Sequence, residues 1–446
     1  MPTHFVIVGS GIAGLSAAEE LCAQDSAARI SLISEEAHDF YSRPGLAYLL
    51  RGDVPEKQLH IRTRDDARSL CIQRINAHVE RLLCHDHELV LSNGQRVRYD
   101  RLLLATGALA VPPPFPGGDL AGVVKLDGLD DTRHILKLTK RARTAVVIGG
   151  GITALELVEG LSARGLRVHY FLRGVRYWSD VLDEIESRII MERLRAEGVV
   201  IHTQTQVQQA IGQGGKVVGV ATQNGEYIPC QILAVAIGVR PRVDLARQAG
   251  LTIGKGIVVD SYLRTSAVDV FAAGDVAEVI NPDGTSTLDV LWPTALAQGR
   301  VAGANMAGAT RAYVKSIPSN VTMLTGLKVT IIGAVGGGSN ADLVAITRGE
   351  SEAWRLFPGS WVISDSSNVN RVRLVIGTRA IVGALVMGDQ TWARPLQRLV
   401  AGHADITPIR SALHEDRAAA LTRLADFYHR WEQARTQRGN SMIPPR

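Results

Sequence analysis

Cysteine is scarce in this chain. Its 446 residues contain four, Cys22, Cys71, Cys84 and Cys230, with no CxxC pair and no ligand-like grouping. That spacing excludes a disulfide framework and a thiolate metal site, and it reads as reduced thiols of a cytoplasmic protein with no metal. Long apolar runs are missing as well. The best candidates are cut by Gly, Glu or Arg, so none reaches the ~20 residues of a membrane helix. The amino-terminal run breaks at Gly9 and lacks the basic start of a signal peptide. A soluble protein with no membrane partner is expected. Charge of one sign is also lacking: the formal net charge is only +5, and no nucleic-acid partner is expected. His85-Asp86-His87 lies in a polar turn and reads as a solvated loop, not a metal-ligand pair.

Glycine is abundant, with 44 residues against 21% charged ones, the balance of a turn-rich α/β protein of two or three domains. The informative stretch is Phe5-Val6-Ile7-Val8-Gly9-Ser10-Gly11-Ile12-Ala13-Gly14. A β-preferring run enters GxGxxG and an amphipathic stretch follows, so the order is strand, tight turn, helix. Gly9 permits the turn, Gly11 lets backbone amides approach a pyrophosphate, and Gly14 permits close helix–strand packing, with Ile12 and Ala13 between them. A second β-like run, Arg29 to Ser34, ends in Glu35, about twenty residues after Gly14, where a carboxylate accepts hydrogen bonds from a ribose.

The same device recurs. Thr144 to Ile148 leads into Gly149-Gly150-Gly151-Ile152-Thr153-Ala154, a GxGxxA turn, and a helix carries on through Glu156 to the strand Arg167 to Phe171. Hairpins with Asn-Gly at the tip, taken as two-residue turns with positive φ, are predicted at Asn93-Gly94 and Asn224-Gly225. The first leads to a strand ending in Ala105-Thr106-Gly107, the second to one ending in Ile237-Gly238. Two copies of one unit imply two nucleotide sites. Pro112 to Gly118 is a stiff linker and a domain crossing. Thr265 to Asp275 reads as a strand ending in Gly274-Asp275, and a helix begins near Pro293-Thr294-Ala295. Beyond Ser316, strands are predicted at Thr325–Gly333, Arg371–Ile376 and Ala380–Met387, with two helices from Ala393 and Glu415.

Taken together, these motifs resemble the flavin-dependent pyridine nucleotide-disulfide oxidoreductases, over Phe5 to about Ala309. Tyr41-Ser42-Arg43-Pro44, Leu324 to Leu327 and Val382 to Asp389 look most like the flavin portions of NAD(P)H:rubredoxin reductases and assimilatory nitrite reductases. The resemblance implies an α/β fold of two Rossmann-like dinucleotide-binding domains, the NAD(P) domain inserted in the FAD domain, plus a C-terminal α+β domain. Residues 1–113 and 241–312 would bind FAD, 114–240 NAD(P)H, and 313–446 would form an interface domain with a helical tail. FAD would take Gly9 to Gly14, Ser34, Glu35, Arg43, Pro44, Ala105 to Gly107, Gly274, Asp275 and Pro293 to Ala295. NAD(P)H would take Gly149, Gly151, Ile152, Thr153, Arg173, Arg176, Ile237 and Gly238, with Glu156 toward the nicotinamide as the catalytic-site residue.

Relatives that reduce disulfides or peroxides carry cysteine after the second strand, but Tyr41 to Leu50 has none, and Pro44 stands at the single-cysteine position. The strand before Leu172 also lacks the acid that NADH enzymes use, and Arg173 and Arg176 follow it, which leans toward NADPH. From Gly308 onward there are 17 Lys and Arg against 10 Asp and Glu, leaving 32 against 34 elsewhere. That excess reads as an arginine-rich solvated surface first and as a docking face for an acidic carrier second. The leading expectation is an NAD(P)H oxidoreductase whose FAD passes electrons to an iron–sulfur or rubredoxin-like protein. Alternatives are a flavin subunit of a larger complex or a redox sensor, and an oxidase acting on oxygen, a quinone or a small molecule. A homodimer is compatible with each.

Overall fold

The computed structural model describes residues 2–25, 27–61, 72–281, 284–336, 361–367, 369–416 and 419–440; Cys71 lies outside them. These residues fall into two compact units, one of residues 2–177 and 194–315, the other of 178–193 together with residues from 316 onward.

In the first unit, the apolar run at the amino terminus becomes the central strand His4–Val8 of a five-stranded parallel sheet. The order is Val270–Ala272, Arg101–Leu104, His4–Val8, Arg29–Ser34, Ile72–Asn76. Val6, Ile7, Leu102 and Leu103 are fully buried, as continuous apolar strands in a parallel sheet covered on both faces should be. A second five-stranded parallel sheet repeats the plan with Val200–His202, Arg167–Phe171, Thr144–Ile148, Ile232–Val235 and Val123–Val124. All five lie in the sequence between Arg101–Leu104 and Val270–Ala272, so the second fold is inserted in the first. The outgoing and returning chains pair antiparallel, Ala108–Ala110 against Val239–Pro241.

The predicted hairpins form, with two differences. Each gains a third antiparallel strand, Val79–Leu83 in one and Val207–Gln213 in the other. Their turns are also one residue longer than expected. Gly94 donates to the Leu91 carbonyl while Leu91 donates to that of Gln95, and only Gly94, not Asn93, has positive φ. Thr222, Gly225 and Glu226 repeat the pattern. A type I turn closed by one left-handed glycine suits the strand twist without a strained asparagine. The strand expected over Thr265 to Asp275 is shorter, Val270–Ala272. Thr265 instead bonds back to Val270, closing a turn through Asp269 at φ 58°.

The second unit holds a five-stranded antiparallel sheet in the order Ser319–Leu324, Leu327–Gly333, Ile381–Met387, Asn370–Ile376, Trp361–Ser367. Thr325 and Gly326, expected within a strand, form a tight turn with φ 48° and 75°. Three helices follow where two were expected, Ala393–Ala401, Thr407–Glu415 and Ala420–Asn440. Pro408 starts the middle one in the first helical turn, where its missing N–H costs nothing. Val372, Leu374 and Ile376 pack with Leu396, Leu399 and Val400 in this unit's core.

Candidate active site

At the first glycine turn, Gly9 has φ 113°, and a Cβ there would overlap the Ala105 carbonyl, while one at Gly14 would overlap that of Gly9. A Cβ at Gly11 would meet nothing within 4 Å. Two glycines are therefore demanded by contacts inside the fold and the third faces open space. The helix that follows, Ile12–Gln24, has no side-chain cap and no acid in its first turn. The second glycine turn is similar in part. Gly149 has φ 145° against the Ala236 carbonyl, Gly150, at the place Ser10 holds in the first turn, faces open space, and the helix Ile152–Ala163 is likewise uncapped and free of first-turn acids. The Leu129–Thr139 helix has no side-chain cap either, but carries two acids in its first turn, of which Asp131 accepts from the Asp127 and Gly128 amides just before it. Helix N-termini ordinarily recruit such a side chain for their orphan amides. At the first glycine turn the absence of acid in the first turn and the open space at Gly11 suit a bound pyrophosphate. The residues present thus fit a dinucleotide at both turns.

The structure brings the remaining FAD candidates to the first turn in part. A Cβ on Gly274 would lie 2.9 Å from Ala13 Cβ and 3.7 Å from that of Ala295, so the Gly274-Asp275 turn wedges between the two helices. Gln298 accepts from the Gly274 amide at 2.7 Å. The helix expected near Thr294 runs Trp292–Met306, with Pro293 in its first turn and again no cap and no acid. It crosses Ile12–Gln24 where Gly299 meets Ala13 and Gly303 meets Ala17. Tyr313 lies buried, and burial pushes its hydroxyl up to about 12. Gln298, Gly299, Gly303 and Tyr313 were not anticipated; the Gly-x-x-x-Gly spacing was the available signal.

At the end of the second strand, Ser34 accepts from the Ser10 hydroxyl at 2.9 Å. Glu35 is bound by Arg242 and, at 3.0 Å, by His78. Burial opposes ionisation of Glu35, but these two hydrogen bonds prevail and hold its carboxyl below the usual value. Arg242 also bonds through its backbone to Thr106 and Gly107. Arg43, expected to reach phosphate, donates to Glu36 at 2.6 Å and to the Asp127 carbonyl at 2.8 Å. Its guanidinium is drawn into this local ion pair beside the Tyr41 ring. Pro44 caps the short helix Gly45–Arg51.

That short helix meets the helix of the second glycine turn. A Cβ at Gly160 would lie 2.5 Å from Leu50 Cγ, and Arg164 donates to the Leu50 and Leu49 carbonyls at 2.7 and 3.0 Å. Glu156 stands one turn before Gly160 on the same helix face. Ile152, Thr153 and Ala154 open that helix, and Ile237-Gly238 follow Ala236 beside Gly149. Arg173 is exposed and Arg176 partly buried, in a loop whose Leu172 and Gly174 backbones bond to residues 202–205.

Two nested Rossmann-type folds, each with an uncapped glycine turn, define a protein built for two dinucleotides. The pyridine nucleotide-disulphide oxidoreductase family matches residues 3–299, and the chain belongs to that family. It is 29% identical over 398 residues to an "NADH oxidase" of Methanocaldococcus jannaschii, covering 85% of this chain and 88% of the relative. It is 30% identical over 403 residues to the biphenyl dioxygenase system ferredoxin–NAD(+) reductase component of Paraburkholderia xenovorans, covering 86% and 95%. The fold also matches the covalent putidaredoxin reductase–putidaredoxin complex, with TM-score 0.82, 23% identity and coverage of 96% and 99%. The chain is accordingly an NAD(P)H-dependent oxidoreductase and a flavoprotein, for which the family implies FAD and a nicotinamide nucleotide. No helix among the described residues is long and apolar enough to cross a membrane.

Proposed function

We propose that this protein takes hydride from NAD(P)H onto FAD and passes electrons onward to a separate acidic carrier of the iron–sulfur or rubredoxin type. One observation carries the reading: two uncapped, glycine-cleared helix N-termini sit on folds joined at the Gly160–Leu50 seam. Residues 1–113 and 241–312 hold FAD in this reading, 114–240 hold the nicotinamide nucleotide, and 313–446 form an interface domain. When bound, the two cofactors supply hydride transfer and the conversion to single electrons. The protein supplies alignment. The amides after Gly9 and Gly149 take pyrophosphates, and Ser34 and Glu35 face a ribose. Asp275 binds beyond the first phosphate, and the Trp292–Met306 helix directs its positive end at developing negative charge. Glu156 orients the nicotinamide, with no proton to move.

The absence of cysteine from Tyr41 to Leu50 supports a direct relay without sulfur. Arg173 and Arg176, with no acid at Leu172, support NADPH acceptance, whereas the relatives' names point to NADH. Anaerobic titration of the yellow protein with each nucleotide, then reoxidation by acidic carriers, tests the reading. Bleaching by either nucleotide and rapid carrier reduction are expected; no bleaching by either would end it. The similarity to an NADH oxidase favours a second reading, direct reduction of oxygen. Fast peroxide formation with no carrier present would promote it.

A further inference from the structure

Glu35 follows the strand Arg29–Ser34, and its carboxylate is held at both oxygens. Arg242 donates to Oε1, and His78 Nδ1 lies 3.0 Å from Oε2. Behind the side chain, the Asn76 amide donates to the Ser34 and Glu35 carbonyls at 3.0 and 3.2 Å, so the backbone is fixed too. Arg242 is itself anchored. Its backbone N–H donates to the Gly107 carbonyl at 2.9 Å, and its carbonyl accepts from the Thr106 hydroxyl at 3.0 Å. In the first sheet, Leu104 and Ile33 pair with Val8 from opposite sides. Thr106, Gly107 and Glu35 therefore stand just past the ends of the two strands that flank His4–Val8, and the glycine turn with its open Gly11 lies between them. Those flanking strands are about 10 Å apart, two strand spacings. Arg242 reaches both, and it is the first residue after the returning strand Val239–Pro241.

An exposed ion pair contributes little to stability, and Glu35 keeps 45% of its side chain exposed. What these contacts supply is direction and charge. An ionised carboxylate offers about four lone-pair sites. One on each oxygen is taken within the protein, so each oxygen can accept one more hydrogen bond. Two adjacent hydroxyls of a ribose match two such fixed acceptors. Burial works against ionisation of Glu35, and Arg242, whose guanidinium is always charged, counters it most strongly. We propose that Arg242 is a positioning residue for FAD: with His78 on the other oxygen, it orients Glu35 toward the adenosine ribose and ties that carboxylate to the turn where the chain crosses between the two nucleotide folds. This rests on the FAD site proposed above. The crossing then contributes to flavin retention as well as connecting the folds.

The test uses the full-length protein and reads the Kd for FAD and for FMN by equilibrium dialysis, with the melting temperature of the flavin-free protein as the check on folding. FMN carries the isoalloxazine and one phosphate but no adenosine ribose. Arg242→Met is expected to raise the Kd for FAD about tenfold, the scale of one charge-assisted hydrogen bond, and to leave that for FMN within about twofold of wild type. Arg242→Lys should restore most of the FAD affinity, because a single guanidinium nitrogen meets Glu35 and no bidentate fork is lost. In a Glu35→Gln background, Arg242→Met should cost less than about threefold, since its effect passes through the carboxylate. If Arg242→Met does not fold, Arg242→Gln carries the same expectations. Equal losses for FAD and FMN, or full additivity with Glu35→Gln, would overturn the positioning role. Gly11→Ala is the reference for the site itself. Wild-type FAD affinity in the Arg242 variants beside weakened FAD binding in Gly11→Ala overturns this inference alone. Wild-type affinity in all of them, Glu35→Gln included, overturns the FAD site and this inference with it.

Discussion

Gly9 and Gly14 must be glycine because of what already touches them, whereas a Cβ at Gly11 would meet nothing, and in the proposed site glycine there clears the way for a pyrophosphate. Substitution therefore separates binding from folding. Gly14→Val should fail to fold, since its Cβ has no space beside the Gly9 carbonyl. Gly11→Ala should fold with an unchanged melting temperature for the flavin-free protein yet retain FAD at least about tenfold more weakly, or 1.4 kcal/mol. Equilibrium dialysis reads the second effect, and undiminished FAD retention would move the pyrophosphate elsewhere. A second residue-level prediction concerns His169 and His202, whose rings meet at 3.0 Å on adjacent strands. Burial depresses both, and for His169 the neighbouring His202 and Arg167 depress it further. With folded values below 6.5, the unfolded chain binds protons first as pH falls, so stability is lost downward from about pH 6.5. Thermal melts at pH 7.5 and 5.5 should show a smaller drop for His202→Gln than for wild type; equal drops would place the acid sensitivity in other groups.

The element that joins the two dinucleotide folds is the helix pair meeting at Gly160 and Leu50. Alanine at an ordinary helix-interior glycine stabilises by about 1 kcal/mol. Here the new methyl would press on a fully buried leucine with no route outward, and overpacking costs about 1 to 3 kcal/mol. Gly160→Ala should therefore lower the urea midpoint. Adding Leu50→Ala should give less loss than the two single losses summed, because the methyl occupies part of the vacated space. Additive losses would mean the helices do not interlock. This seam was not legible in the sequence, and the reason is physical. A glycine turn is written locally, in a positive φ and a short strand–turn–helix order, so both turns and the repeated hairpins were foreseen. A glycine notch depends on a partner 110 residues away in the chain. The third hairpin strands were missed for a related cause: Val79–Leu83 has Glu80 and Arg81 in succession, breaking strict alternation. Arg371 and Arg373 read as part of a solvated basic surface, and they are buried because Asp183 and Glu186 neutralise them. Arg43 likewise has a local partner that the sequence did not announce, Glu36.

Across the whole molecule the charge is lopsided, with the residues from Gly308 onward carrying an excess of seven positive charges by sequence. Two of the arginines, Arg371 and Arg373, are paired internally with carboxylates from 178–193, so the outward excess is smaller than the count implies. What remains still bears on association. A basic face accelerates encounter with an acidic carrier by long-range attraction, and salt shortens the reach of that attraction to about 10 Å at 0.1 M. If the carrier is drawn by this basic excess, the second-order rate of its reduction should fall by about tenfold or more between 20 and 300 mM salt. Reduction of ferricyanide is no control, since that anion is steered as well; hydride transfer from the nucleotide in single turnover is the better one and should hardly change. The discriminating measurement is stopped-flow carrier reduction across a salt series, beside peroxide formation under the same conditions. A salt-independent carrier rate with peroxide as the main product would make oxygen the acceptor and leave the basic excess without a part in electron transfer.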